Sequence, residues 1–200
     1  ITAMIISFWI GPKILKILNK KRVSDEIRAD GPQSHMSKTG TPTMGGVIII
    51  LAIIAPVLLW GDIKNTYILI IILATVWMGI VGFIDDYLKV FKKMKKGLVA
   101  RYKLMNQIGL GLVVACLIYF LPEFDRINSV TTIPFLKQVE FDFSYLYIPI
   151  MVFIITATSN AVNLTDGLDG LAIGCVGIAG LAIGLIAYLS GNEIFSRYLN

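Results

Sequence analysis

Residues 66–89 read TYILIIILATVWMGIVGFIDDYLK. The stretch 66–84 is almost wholly apolar, and about 20 such residues are what an α-helix needs to cross the ~30 Å hydrocarbon layer of a bilayer. Asp85 and Asp86 follow directly. A carboxylate at the centre of a membrane helix costs about 2.5–3.5 kcal/mol even on the lenient insertion scale. The pair therefore belongs at a helix end or beside a polar cavity, and that one segment sets a membrane class with chemistry at a membrane boundary.

The rest of the chain repeats the pattern. Spans of similar length are predicted at 1–18, 44–60, 104–121, 144–162 and 171–190. The 200 residues are 56% hydrophobic and 16% charged, against about 25% charged in soluble domains. The expected fold is all-α, a polytopic integral membrane helix bundle of about six transmembrane helices in a single domain, 1–200. The start lacks a basic stretch ahead of its apolar run and passes into Gly11-Pro12-Lys13, so it is read as a first span and not as a cleaved signal.

Basic residues in short loops stay on the cytoplasmic side. Lys13, Lys16, Lys20, Lys21, Arg22, Arg28 and Lys38 surround the first loop, and Lys89, Lys92, Lys93, Lys95, Lys96, Arg101 and Lys103 the third, fourteen of the 18 Lys and Arg. The loops at 61–65 and 122–143 hold few and face outward, the second with room for a short hairpin around Val130-Thr131-Thr132-Ile133-Pro134. Parity returns 163–170 to the cytoplasm. The net charge of +5 thus reports topology and implies no nucleic-acid partner. Cys116 and Cys175 fall inside spans, where a thiol packs as a small apolar group. In span 6, Gly180 and Gly184 have the small-xxx-small spacing of close helix packing.

Three polar stretches converge on that cytoplasmic face. Asp85 and Asp86 suit a hard cation such as Mg²⁺, which takes oxygen ligands and shares them with substrate phosphates; the bland alternative is neutralisation by Lys89 and Lys92. In Asn160-Ala161-Val162-Asn163-Leu164-Thr165-Asp166-Gly167-Leu168-Asp169-Gly170, Asn160, Asn163, Asp166 and Asp169 recur every three residues and would share a helical face. They suit a nucleoside, or extend the metal site, or form a turn in which Asp169 caps span 6. Thr39 to Gly46, ahead of span 2, offers hydroxyls and a helix start suited to phosphate, unless Thr43 is simply a cap. His35 is the only histidine, so no His-rich metal site is expected. Arg101 and Lys103 lie where they would reach a pyrophosphate held over Asp85 and Asp86.

Three blocks carry a family resemblance: Asp30-Gly31-Pro32 through Lys38-Thr39-Gly40-Thr41-Pro42-Thr43-Met44-Gly45-Gly46, Gly82-Phe83-Ile84-Asp85-Asp86-Tyr87 through Lys89, and Asn160 through Leu171. On these the chain resembles the phospho-N-acetylmuramoyl-pentapeptide transferases, within the polyprenyl-phosphate sugar-1-phosphate transferase superfamily; the threonine-rich first block separates it from the wider superfamily. The resemblance implies a Mg²⁺-dependent enzyme of the bacterial inner membrane. It would transfer phospho-N-acetylmuramoyl-pentapeptide from its UDP carrier to undecaprenyl phosphate, making the first lipid intermediate of peptidoglycan and releasing UMP.

By the same resemblance Asp85 is the base or organiser for the lipid phosphate, and Asp86 a carboxylate of the metal or phosphate site. Asn163, Asp166 and Asp169 serve the nucleoside, Lys38 and Thr43 line the cleft, and Lys89 and Lys103 bind substrate, Lys103 at its phosphates. Direct attack and a covalent intermediate are both compatible with these roles. Membrane lipid and a homodimer complete the expected partners. The family continues for about four further spans with a third essential Asp and a His-rich loop, so the 200 residues are expected to be the N-terminal portion of a larger fold, inactive alone. A sister transferase for another UDP-N-acetylhexosamine is the nearest alternative. A transporter is more remote, because its charges belong at the midplane.

Overall fold

The computed structural model describes residues 1–20, 44–92, 94, 97–125, 128–132, 140–166 and 170–192. Its long elements are α1 (Thr2–Lys20), α2 (Gly46–Trp60), α3 (Thr66–Val90), α4 (Ala100–Phe120), α5 (Tyr147–Thr165) and α6 (Leu171–Gly191), with a two-stranded hairpin between α4 and α5. All six predicted spans are helices. Four segments, Thr66–Val90, Ala100–Phe120, Ser144–Thr165 and Leu171–Gly191, are long and apolar enough to cross a membrane, whereas α2 is shorter at 15 residues. The molecule is an integral membrane protein built as a helix bundle, and its surface carries large apolar side chains such as Phe8, Trp9, Leu59, Trp60 and Phe153. In water so much exposed apolar area is untenable; against lipid it costs nothing.

The chain divides into two compact units, Ile1–Phe153 and Ile154–Asn200. In the first, consecutive helices pack along the chain, α1 on α2, α2 on α3 and α3 on α4. Small residues let the backbones close up, since lipid gives no hydrophobic push and association depends on contact. Gly11 of α1 is buried, with Ile48 of α2 3.7 Å from where a Cβ would stand. Helix α4 supplies a large share of the described core: Gln107, Leu110, Gly111, Val114 and Ala115 are all buried. A Cβ at Gly111 would come within 3.0 Å of the Val152 Cα on α5. Gly111→Ala is therefore expected to cost about 1–3 kcal/mol, the usual range for overpacking. A lower thermal midpoint in detergent is the readout; an unchanged midpoint would contradict the close approach.

Two helices run further than the sequence pattern suggests. Helix α3 continues six residues past the predicted end at 84, and α4 begins at Ala100 instead of 104. Apolarity marks what lipid covers, and these extra turns are polar helix beyond it. The Asn65 side chain caps the start of α3 by accepting from the Tyr67 amide at 2.9 Å. From Thr66 to Asp85 the rise is about 28 Å at 1.5 Å per residue, close to the full hydrocarbon thickness. Asp85 thus reaches the boundary on an unbroken helix.

The hairpin expected around Val130 is present: Val130–Thr132 pairs antiparallel with Glu140–Asp142, Val130 opposite Asp142. Asp142 closes it. Bonds to its carboxyl from the Ser129 side chain and the Ser144 amide hold the Asp142 acid below the usual carboxylate range.

The second unit comprises the remainder of α5 and α6. Helix α5 ends at Thr165, whose hydroxyl donates back to the Ala161 carbonyl at 2.8 Å. Helix α6 opens on Gly170 in the left-handed region, φ 79°, with no side-chain cap. The N-cap position read for Asp169 therefore belongs to Gly170.

Candidate active site

Asp85 is the buried carboxylate among the described residues, with 8% of its surface exposed. Each of its oxygens is engaged. Oδ1 accepts from the Leu98 backbone amide at 2.7 Å. Oδ2 accepts from the Lys103 ammonium at 2.9 Å and makes an ion pair with Lys89, also at 2.9 Å. Local geometry explains the partners. Lys89 follows Asp85 by four residues, one helical turn on the same face. Lys103 lies in the first turn of α4, and Leu98 stands one residue ahead of its N-cap Val99, so Asp85 also faces the positive end of the α4 dipole.

The connection between α3 and α4 is folded back onto this carboxylate. The Met94 amide donates to the Leu88 carbonyl at 3.1 Å, and the Gly97 amide to the Met94 carbonyl at 2.8 Å. Gly97 is buried in the left-handed region, φ 59°. A Cβ there would collide with Asp85 Oδ1 and stand 2.8 Å from Lys89 Cε. Sequence reading missed both Gly97 and the Leu98 amide. The available signal was a lone glycine in a polar connection just ahead of a helix, which often marks a left-handed turn.

Asp86 is half-buried and engaged in its own interaction. As the next residue on a helix it points about 100° away from Asp85. The two carboxylates are thus in different settings. Asp85 is surrounded by two ammonium groups, which leave little room for a cation on the same oxygens. A hard cation at either carboxylate would take phosphate oxygens as co-ligands. Among the described residues no group of three or more His, Cys, Asp and Glu forms a metal cluster, so a Mg²⁺ site here needs substrate oxygens or further ligands.

On another face of α3, Phe83, Tyr87 and Phe91 stack in succession, with centroids 6.5 and 5.0 Å apart. Arg101 lies over the Tyr102 ring at 4.9 Å. Such aromatic and cationic groups suit the headgroup level of a membrane. Of the ladder read at the end of α5, Asn160 and Asn163 are on exposed helix, and Asp166 is exposed just past its end. The Asn160 amide donates to the Thr156 carbonyl at 2.9 Å. These residues belong to the second unit. Lys38, Thr43 and Asp169 lie outside the described residues. At the start of α2 the N-cap position is held by Gly45.

The described part of the site is a lysine-clamped carboxylate at the polar end of a long apolar helix. Residues 68–199 match Glycosyl transferase family 4, and the chain belongs to that family. Within it the likeness is narrower: residues 38–50 match Phospho-N-acetylmuramoyl-pentapeptide-transferase signature 1. Proteins named phospho-N-acetylmuramoyl-pentapeptide-transferase align with the whole chain. The one from Pelodictyon phaeoclathratiforme (strain DSM 5477 / BU-1) is 50% identical over 200 residues and that from Chlorobaculum parvum (strain DSM 263 / NCIMB 8327) 46%. A third, from Thermodesulfovibrio yellowstonii (strain ATCC 51303 / DSM 11347 / YP87), is 45% identical over 199 residues. The chain covers 54%, 54% and 55% of these proteins, about half the length of the curated relatives it matches.

Proposed function

We propose that this chain contributes the Asp85 wall of an enzyme that moves phospho-N-acetylmuramoyl-pentapeptide from UDP to undecaprenyl phosphate at the cytoplasmic face of the bacterial inner membrane. The observation that carries the reading is the clamp itself: a carboxylate at bilayer depth, flanked by two ammonium groups, where a lipid phosphate and a soluble pyrophosphate can meet. The names of the relatives support the choice of sugar nucleotide. In the net reaction an oxygen of the lipid phosphate becomes bonded to the sugar-linked phosphorus. The pyrophosphate P–O bond breaks and UMP leaves with its electron pair.

Such transfers depend on positioning and on neutralising charge around the phosphorus. Asp85 orients the attacking phosphate, or takes its proton when that group arrives protonated. Lys103 and Lys89 meet phosphate oxygens. Asp86 would hold Mg²⁺, which when bound supplies further neutralisation of the transferring group. Lys38 and Thr43 are assigned to the substrate cleft, and Asn163, Asp166 and Asp169 to the nucleoside. The test is UMP release, in detergent and Mg²⁺, by a chain of the relatives' full length given undecaprenyl phosphate. UDP-N-acetylmuramoyl-pentapeptide is expected to support turnover, and UDP-N-acetylglucosamine at least 100-fold less, a discrimination of about 2.7 kcal/mol. The reverse preference would replace this reading with the sister transferase.

A further inference from the structure

We propose that Gly97 is a positioning residue for Asp85. The absence of a side chain at 97 lets the backbone lie against the carboxylate and hold it in register with Lys89 and Lys103. Two separate requirements meet at this residue. Its φ of 59° is one that L side chains rarely adopt. Its Cβ position is also already filled, by Asp85 Oδ1 on one side and by Lys89 Cε at 2.8 Å and Cγ at 3.1 Å on the other. The second requirement is the informative one. A glycine needed only to turn the chain need press on nothing, as at Gly170, where no atom of the described residues lies within 4 Å of the Cβ position at φ 79°. Gly97 instead presses on the group assigned to the chemistry.

The neighbouring bonds show what that pressure achieves. The Leu98 amide, one residue on, donates to the same Oδ1 at 2.7 Å, so one carboxylate oxygen is pinned by backbone and the other is left to the two ammonium groups. A carboxylate free to rotate would share its lysines between both oxygens. Pinned by Gly97 and Leu98, it presents a single oxygen in a fixed direction. A side chain at 97 forces the Asp85 carboxylate and the Lys89 stem to shift, and a shift of Oδ1 loosens the Leu98 bond and turns Oδ2 relative to its lysines. A displacement of about 1 Å at a reacting group costs on the order of 100-fold in rate.

This inference rests on Asp85 acting in the proposed transfer. It is tested with Gly97→Ala and Gly97→Asn in the full-length enzyme, by UMP release and by hydrogen exchange at the Leu98 amide. Asn tolerates left-handed backbone far better than Ala, so it relieves the conformational requirement and leaves the collision. Both variants are expected to lose about 100-fold in kcat, with KM for the sugar nucleotide within about threefold of wild type, and to exchange the Leu98 amide faster. Recovery of kcat in Gly97→Asn to half of wild type or more would overturn the proposal, because the turn alone would then explain the glycine. Wild-type kcat in Gly97→Ala would overturn it as well. Failure of both variants to accumulate as folded protein would also do so, by assigning Gly97 to the fold. If the wild-type protein releases no UMP, the functional reading is what has failed. Leu98 exchange then decides the placement of Asp85 by itself: protection kept in Gly97→Ala overturns it, and protection lost supports it.

Discussion

Asp85→Asn is expected to lower kcat by 10³-fold or more while KM for the sugar nucleotide changes by less than about tenfold. General-base and positioning roles are commonly worth 10²–10⁴-fold, and a residue that acts mainly in the transition state shows its loss in kcat. The fold should survive. Lys89 and Lys103 have side chains 30% and 34% exposed, so both ammonium groups can rehydrate when the charge is removed, and the amide of Asn keeps an oxygen to accept from the Leu98 amide. The informative companion is Asp85→Glu. If the carboxylate served only to neutralise lysines, a longer acid would do. With Oδ1 held at the Leu98 amide and against the Cβ position of Gly97, a longer acid carries its oxygens past these contacts, and Glu is expected to recover less than a tenth of wild-type kcat. UMP release by Asp85→Asn within tenfold of wild type would remove Asp85 from the chemistry.

Lys103→Met is the second large effect, expected to lower kcat/KM by 10²–10³-fold, the usual cost of deleting one donor that stabilises developing charge. Lys103 bonds Asp85 now, and two readings of that bond diverge. As a structural partner of Asp85 alone it would be replaceable, since Lys89 remains on the same oxygen at 2.9 Å. Activity would then fall little, and Lys89→Met would match it. As a phosphate ligand on the first turn of α4, Lys103 has no substitute. The loss should then exceed that of Lys89→Met by at least tenfold and include a raised KM for the sugar nucleotide. Losses below tenfold in both variants would place both lysines in the fold instead of at the substrate.

The helices were legible because lipid enforces a simple rule, an apolar run long enough to span, and α3, α4, α5 and α6 follow it closely. Their polar ends were less so. The turns 85–90 and 100–103 are helical because α3 propagates past the apolar boundary and α4 starts before it, and neither leaves a hydropathy signal. The site divides the same way. Asp85, Lys89 and Lys103 were readable as charges in a segment where charge is costly, and the structure brings these three together. Which oxygen each would take, and that backbone at Gly97 and Leu98 would complete the set, depends on how a connection folds back on its own helix. Adjacent carboxylates also suggested a shared cation. Helical geometry separates Asp85 from Asp86 by about a quarter turn, so each meets its own neighbours.

The unbroken run of α3 from Thr66 to Val90 makes that helix a depth gauge. One inserted residue between its outer end and Asp85 would raise the carboxylate by about 1.5 Å and turn it through about 100°, away from Gly97 and Lys103. Because the gauge is rigid, its zero is set by the lipid. A bilayer a few ångströms thicker or thinner must be met by tilt or local deformation, which shifts the height at which a lipid headgroup arrives relative to Asp85. If Asp85 acts as proposed, the rate would vary with membrane thickness, through the count of residues in one helix.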